Sequence, residues 1–148
     1  DTTKLILTMA TLKISDLSVG DWVMCNEDKY RVMGITMFHE LDLLKSSESF
    51  RTSIDNIHPI PITAEILQMN GFEFEKASRW HICELEDKTR INVWIGRNNE
   101  GRIEVSKPAP FEDEYHFKYV DIEVLNIAVH QLQHALRLAG VEKDIVML

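Results

Sequence analysis

Val19-Gly20-Asp21-Trp22-Val23-Met24-Cys25-Asn26-Glu27-Asp28-Lys29-Tyr30-Arg31-Val32-Met33-Gly34-Ile35 decides how this chain begins. Gly20-Asp21 is a turn signal, and a short apolar run follows it. Asn26–Lys29 is polar and turn-rich. Tyr30, Val32 and Gly34 then recur with period two, so they share one face of a strand. Two such runs around a polar tetrapeptide predict a β-hairpin. Gly34 inside the second run predicts a bulge or bend, the device that small barrels use at corners. Leu41–Lys45 is a weaker strand signal, Ser46–Ser49 a loop, and Phe50–Ile54 a further strand-like piece. Residues 12–62 are therefore expected to form a small SH3-like β-barrel.

Outward from this lobe the pattern changes. Ile57-His58-Pro59-Ile60-Pro61-Ile62 carries two residues that cannot donate to a strand ladder, so it is expected to run extended into a helix. Thr63 is a good N-cap, Glu65 suits the positive end of the helix dipole, and Asn70-Gly71 is a stop. Ile62 and Leu67 have the spacing of a hydrophobic staple. A helix of about seven residues is not stable alone, so Ile66 and Leu67 must be docked.

Period two returns after Gly71. Trp80–Glu86, Ile91–Ile95, Arg102–Ser106 and Tyr115–Val120 predict an antiparallel meander. Gly101 is assigned the left-handed position of a hairpin loop. Lys107–Glu114, with Pro108, Pro110 and three successive acids, is assigned to a surface loop. Leu125, Ala128, Val129, Leu132, Ala135, Leu136 and Ala139 form an apolar stripe at helical spacing, predicting a helix near Glu123 to Ala139 that covers the meander. The fold class is α+β. Residues 1–11 are a lead-in expected to be disordered, 12–62 the barrel-like lobe, and 63–148 the meander and helix, the two lobes being separate or one compact domain.

Composition bounds the function. The 148 residues are 45% hydrophobic and 27% charged, enough for a buried core. The net charge of -8 argues against a dedicated nucleic-acid binder. It is shared between the halves, -3 over residues 1–62 and -5 over 63–148 by residue count, so it reads as a solubility feature. Two cysteines rule out a disulfide framework and a four-cysteine zinc site. No apolar run approaches the roughly 18 residues of a membrane span. Leu5–Ala10 is too short for a secretory leader, Met9 is a candidate start, and a cytoplasmic location with no membrane partner is expected.

Several constellations could carry chemistry. His130 and His134 have the i, i+4 spacing of two zinc ligands. No glutamate follows His130, and both lie opposite the apolar stripe, so they are expected to face solvent beside Gln133 and Arg137. A third ligand would have to be His116 or an acid of Glu112-Asp113-Glu114. His81 and Cys83 share a strand face and read as packing rather than as a nucleophile with its base. Glu84 and Glu86 read as a solvated strand face rather than a glycosidase pair. Trp80 shares parity with Ile82 and reads as core. Trp22 and Tyr30, with Trp94, Tyr115 and Tyr119, could supply an aromatic binding surface. Arg79, Arg90, Arg97 and Arg102 gather around the meander as a local basic edge.

Three segments taken together resemble a known family. They are Val19-Gly20-Asp21-Trp22-Val23, then Ile57–Thr63 running to Asn70-Gly71-Phe72, then Val129-His130-Gln131-Leu132-Gln133-His134-Ala135-Leu136. In this order they resemble small uncharacterised proteins of Bacteroidetes genomes and their phages or mobile elements, over roughly residues 12 to 140. The resemblance implies a bacterial, gut-associated, cytoplasmic or phage-linked origin. It assigns no catalytic residue and no cofactor. The expected function is a non-catalytic interaction or accessory module with a protein partner, which Trp22, Tyr30, Arg97 and Arg102 would contact. A nucleic-acid accessory factor using the arginines is the alternative. A small metal-dependent enzyme using His130 and His134 is the second alternative.

Overall fold

The structure is a computed structural model that describes residues 12–109 and 112–147; the side chains of Asn99 and of residues 112–116 fall outside the description. The lead-in 1–11 lies outside the described residues. The fold is α+β, with two antiparallel sheets and a helix near the C-terminus. The chain divides into two compact units. One comprises residues up to Ile60 with Ala128–His130 and Met147, and the other Pro61–Ile127 with Gln131–Val146.

The first unit is a four-stranded sheet in sequential order: β1 (Trp22–Cys25), β2 (Asp28–Ile35), β3 (Glu40–Lys45) and β4 (Glu48–Ser53). Gly20, at φ +97°, closes the turn that precedes β1. The Asp21 N–H donates to Ser18 O at 3.1 Å, and the Asp21 carboxylate accepts from the Ser18 N–H at 2.8 Å. The polar tetrapeptide contracts to a two-residue turn, because Cys25 pairs with Asp28. Asn26 and Glu27 both have positive φ, 50° and 66°, which matches the right-handed twist of the strands they join. The bulge expected at Gly34 is present: Val32 opposes Leu43 and Gly34 opposes Asp42, leaving Met33 as the extra residue. The loop expected at Ser46–Ser49 is only the turn Ser46-Ser47, since Lys45 pairs with Glu48.

Val23, Cys25, Val32, Leu41, Leu43, Leu17 and Ile57 form this unit's core. The sheet does not close. Its order runs from β1 to β4 without pairing the two ends, so no closed barrel is found among the described residues. The outer edge of β1 receives a single bridge, in which Met24 and His58 exchange hydrogen bonds of 2.9 and 2.8 Å. Pro59 follows at once and has no N–H to extend the ladder.

The second unit opens with α1 (Ala64–Met69). The Thr63 hydroxyl accepts from the Ile66 N–H at 3.2 Å. Gly71, at φ +88°, ends the helix: its N–H donates to Gln68 O at 3.1 Å and the Phe72 N–H to Leu67 O at 3.0 Å. Ile62, Ile66 and Leu67 are buried, as so short a helix requires.

A five-stranded meander follows: β5 (Glu73–Phe74), β6 (Trp80–Glu84), β7 (Arg90–Ile95), β8 (Gly101–Ala109) and β9 (Glu112–Val124). Residues 107–109 and 112–114, expected as loop, belong to the β8–β9 ribbon, with Pro110 and Phe111 outside the described residues. Pro108 is tolerated because the β7 ladder reaches β8 only as far as Ser106, so Pro108 has no β7 partner.

The last helix is shorter than its stripe suggested. Here α2 spans Val129–Leu138 and does not begin at Glu123. Val120, Ile122 and Val124 alternate with Asp121 and Glu123, and Gly101–Glu104 pair with Asp121–Val124. The strand therefore continues, and Asn126, at φ +56°, separates it from the helix. Leu125, counted in the stripe, is 69% exposed. The left-handed residue of the β7–β8 loop is Asn98 (φ 58°), not Gly101. Gly101 serves packing instead: a Cβ there would lie 2.5 Å from Ile127. After α2, residues 141–147 run without regular structure.

Candidate functional site

Among the described residues of the first unit, the most exposed apolar side chains lie at the β2–β3 tip. Thr36 organises it. The Thr36 N–H donates to Glu40 O at 2.9 Å, and the His39 N–H donates to Thr36 O at 3.2 Å. The Thr36 hydroxyl accepts from the Phe38 and Glu40 N–H groups at 3.3 and 3.2 Å. His39 takes φ +60°, and its carbonyl accepts from the Ile54 N–H at 3.2 Å. This bonded frame presents Met37 at 85% and Phe38 at 78% exposure, with Met33 and Ile35 part-exposed on the strand behind them. The sequence marks this tip weakly. The only signal was the adjacency of Met37 and Phe38, which breaks period two at a strand end.

The aromatic residues assigned to a binding surface are not brought together. Trp22 opposes Arg31, whose guanidinium lies 5.1 Å from the indole centroid. Tyr30 opposes Val23 and so shares the core-facing side, edge-on to Phe50 at 5.1 Å and 5.9 Å from the Lys45 ammonium. Trp22 and Tyr30 thus occupy opposite faces of one sheet. On the meander Trp80 opposes Trp94. The parity expected there is reversed: His81 and Cys83 are buried, while Trp80 and Ile82 are half-buried on the other face. The Trp94 ring lies over Gly96, where a Cβ would come within 2.4 Å of it. Tyr119 is exposed, with the Lys107 ammonium 4.9 Å from its ring. The Tyr115 side chain lies outside the described residues.

Two of the four arginines of the basic edge, Arg90 and Arg102, are paired with carboxylates. The Arg102 guanidinium meets Asp121 through two hydrogen bonds of 2.8 Å and lies 3.5 Å from Glu104 and 3.9 Å from Glu123. The paired Asp121 carboxyl is held below the usual carboxylate range, and Arg102 is pushed higher still. Lys118 bridges Glu104 and Asp121 in the same cluster. Arg90 pairs with Glu84 at 3.8 Å, and Lys88 reaches the same carboxylate at 4.0 Å. Arg79 and Arg97 are exposed. Glu86 lies beyond the end of β6, so Glu84 and Glu86 do not share a strand face.

His130 is buried at 6% exposure and Gln133 equally, while His134 is half-buried. The solvent-facing histidine pair is therefore a correction. Around the first turns of α2, Val129, His130, Leu132 and Gln133 are all buried, so the helix is covered over more of its circumference than the apolar stripe marks. Among the described residues no group of three or more His, Cys, Asp or Glu is placed to hold a metal ion. The side chains of His116 and Glu112–Glu114 lie outside the described residues. Burial pushes the His81 imidazole down and the Cys83 thiol up, so both are held neutral, with the Phe74 ring 4.9 Å from His81.

A polar site that the sequence did not announce is centred on Asn70. Its side chain, 6% exposed, donates to Ile66 O at 2.8 Å and to Val146 O at 2.9 Å. Its Oδ1 accepts from the Val146 N–H at 2.7 Å. Its local role is to help end α1. Its second role links positions 76 apart in sequence, which no local pattern encodes.

Comparison with protein-family models, with curated proteins and with solved structures finds no match.

Proposed function

We propose that the chain is a non-catalytic interaction module that engages a protein partner through the β2–β3 tip. One observation carries this reading: Met37 and Phe38 stand 85% and 78% exposed on a turn held by its own hydrogen bonds. Large apolar side chains on a pre-ordered frame lose little entropy on burial and can supply the anchor of an interface. Each contributes roughly 1.5–3 kcal/mol when removed from water. Methionine also adapts to irregular pockets. Glu40 flanks the tip in sequence, and the Ile54–His39 hydrogen bond brings the exposed Asp55 near it. The partner that fits is a protein with an apolar cleft and a basic rim.

The small-barrel analogy belongs with this proposal, as do the protein partner, the cytoplasmic location and the Bacteroidetes or phage association. The last rests on the sequence resemblance alone. No helix of the described residues is long and apolar enough to cross a membrane. The arginine-edge alternative is weakened by the carboxylates around Arg102.

The test is competitive. Wild-type protein immobilised on a resin is challenged with lysate of the encoding organism, and the retained protein is eluted with free competitor. Free wild type is expected to elute it, whereas a Met37→Ser/Phe38→Ser variant of unchanged thermal stability elutes it at least about tenfold less effectively. Equal elution by the variant overturns the reading.

A further inference from the structure

We propose that the Asn70 amide, together with the packing that buries Ile145, forms a binding site for an extended peptide, whose resident and displaceable ligand is this chain's own segment 141–147. The site is independent of the β2–β3 tip and goes beyond the function proposed for it.

The side-chain amide of Asn70 offers one donor and one acceptor to a single residue, and Val146 takes both. This is what a strand edge offers an added strand, compressed into one side chain. The amide is oriented in advance, because its other N–H is held by Ile66 O, a carbonyl in the last turn of α1. Recognition at this position reads main chain alone, since the Val146 side chain is 48% exposed. Selectivity lies one residue earlier, where Ile145 is 1% exposed.

The resident segment has the habit of a bound peptide. From Val141 to Met147 exposed and covered residues alternate strictly, the period of an extended strand, yet the segment joins neither sheet. Its point of departure is Gly140, at φ +68°, a hinge position at the end of α2. The Lys143 ammonium comes within 3.9 Å of where a Gly71 Cβ would stand, beside the C-terminus of α1. There a cation is favoured by the negative end of the helix dipole.

The ligand class follows from these contacts. It is an extended segment with a branched apolar residue, followed by any residue that keeps its N–H, which excludes proline. A tethered resident acts at an effective concentration in the millimolar range, so a second peptide gains entry only in large excess or once the resident is released.

The probe is a fluorescent synthetic peptide with the sequence of residues 141–148, tested on the full chain. Val146→Pro removes the N–H that Asn70 accepts and frees the segment. This variant is expected to bind the peptide at least about tenfold more tightly than wild type, and adding Asn70→Ala is expected to abolish the gain. A peptide with proline at the Val146 position is expected not to compete. Equal binding by wild type, Val146→Pro and the double variant overturns the proposal. Amide hydrogen exchange on wild type gives a second readout that needs no variant. Unlabelled peptide at 10-fold excess over the millimolar tether is expected to accelerate exchange of the Val146 N–H, and an unchanged rate at that excess also overturns the proposal. Neither result bears on Met37 or Phe38, so the two proposals fail separately.

Discussion

Asn70 and Val146 pair through two hydrogen bonds, side-chain Nδ2–H to main-chain O at 2.9 Å and main-chain N–H to side-chain Oδ1 at 2.7 Å. Replacing Asn70 by Ala leaves the Val146 N–H and C=O and the Ile66 carbonyl without this partner. Part-buried groups of this kind cost about 1–3 kcal/mol when stranded. Asn70→Ala is expected to lower the unfolding free energy by about that amount in a denaturant titration. Asn70→Asp buries a carboxylate against the Ile66 and Val146 carbonyl oxygens and should destabilise at neutral pH at least as much as Ala.

Gly101 and Ile127 are in van der Waals contact across a gap that admits no Cβ. A methyl group at position 101 would come within 2.5 Å of Ile127. Gly101→Ala is therefore expected to destabilise by roughly 1–3 kcal/mol through overpacking, although alanine has the better strand preference. Combining it with Ile127→Ala, which removes two of the three crowding atoms, Cδ1 and Cγ2, should cost less than the sum of the two single changes. Strict additivity in the double-mutant cycle would show that the close approach is not the cause.

Burial lowers the His81 pKa, so the folded state prefers neutral imidazole. The unfolded chain takes up the proton first as pH falls. Stability should then be full above about pH 6.5 and decline below it, by at most about 1.4 kcal/mol per pH unit from this one group. His81→Phe, beside Phe74, is expected to flatten the slope between pH 6.5 and 5. A slope unchanged in that variant would assign the pH dependence to other groups.

The turn Asn26-Glu27 holds a non-glycine residue, Glu27, at φ 66°. Asn-Gly is the preferred pair for such a turn. Glu27→Gly should raise stability by up to about 1 kcal/mol by relieving the left-handed strain, offset by glycine's greater unfolded-state freedom. A lower midpoint in thermal unfolding would contradict this.

Strands β1–β4, β6 and β7, the bulge at Gly34 and the Thr63–Gly71 helix are legible because each rests on local rules: period two, a capping hydroxyl, a left-handed glycine; β5 and the 107–109 and 112–114 parts of the β8–β9 ribbon are not. The errors have a common source. The stripe that placed a helix from Glu123 matched apolar spacing from Leu125 onward, but Val120-Asp121-Ile122-Glu123-Val124 also alternates, and pairing with β8 decided between the two periods. His130 was assigned to solvent from its angle relative to the stripe, whereas burial around the first turns of α2 extends past it. Trp80 reads as core from its shared parity with Ile82, yet the meander turns His81 and Cys83 inward and leaves Trp80 and Ile82 half-buried. Asn70–Val146 and the neutralised Arg102 are long-range pairings that no window of sequence contains.

The most direct test of the proposed interface is site-specific photocrosslinking in the encoding cell. A benzophenone side chain is placed at Phe38, and separately at Leu125, which is exposed at 69% in the second unit. Expected is one discrete adduct from position 38, none from position 125, and loss of the adduct under excess free wild type but not under excess Phe38→Ser. Identical adducts from both positions, or no adduct from position 38, would contradict an interface built on the β2–β3 tip.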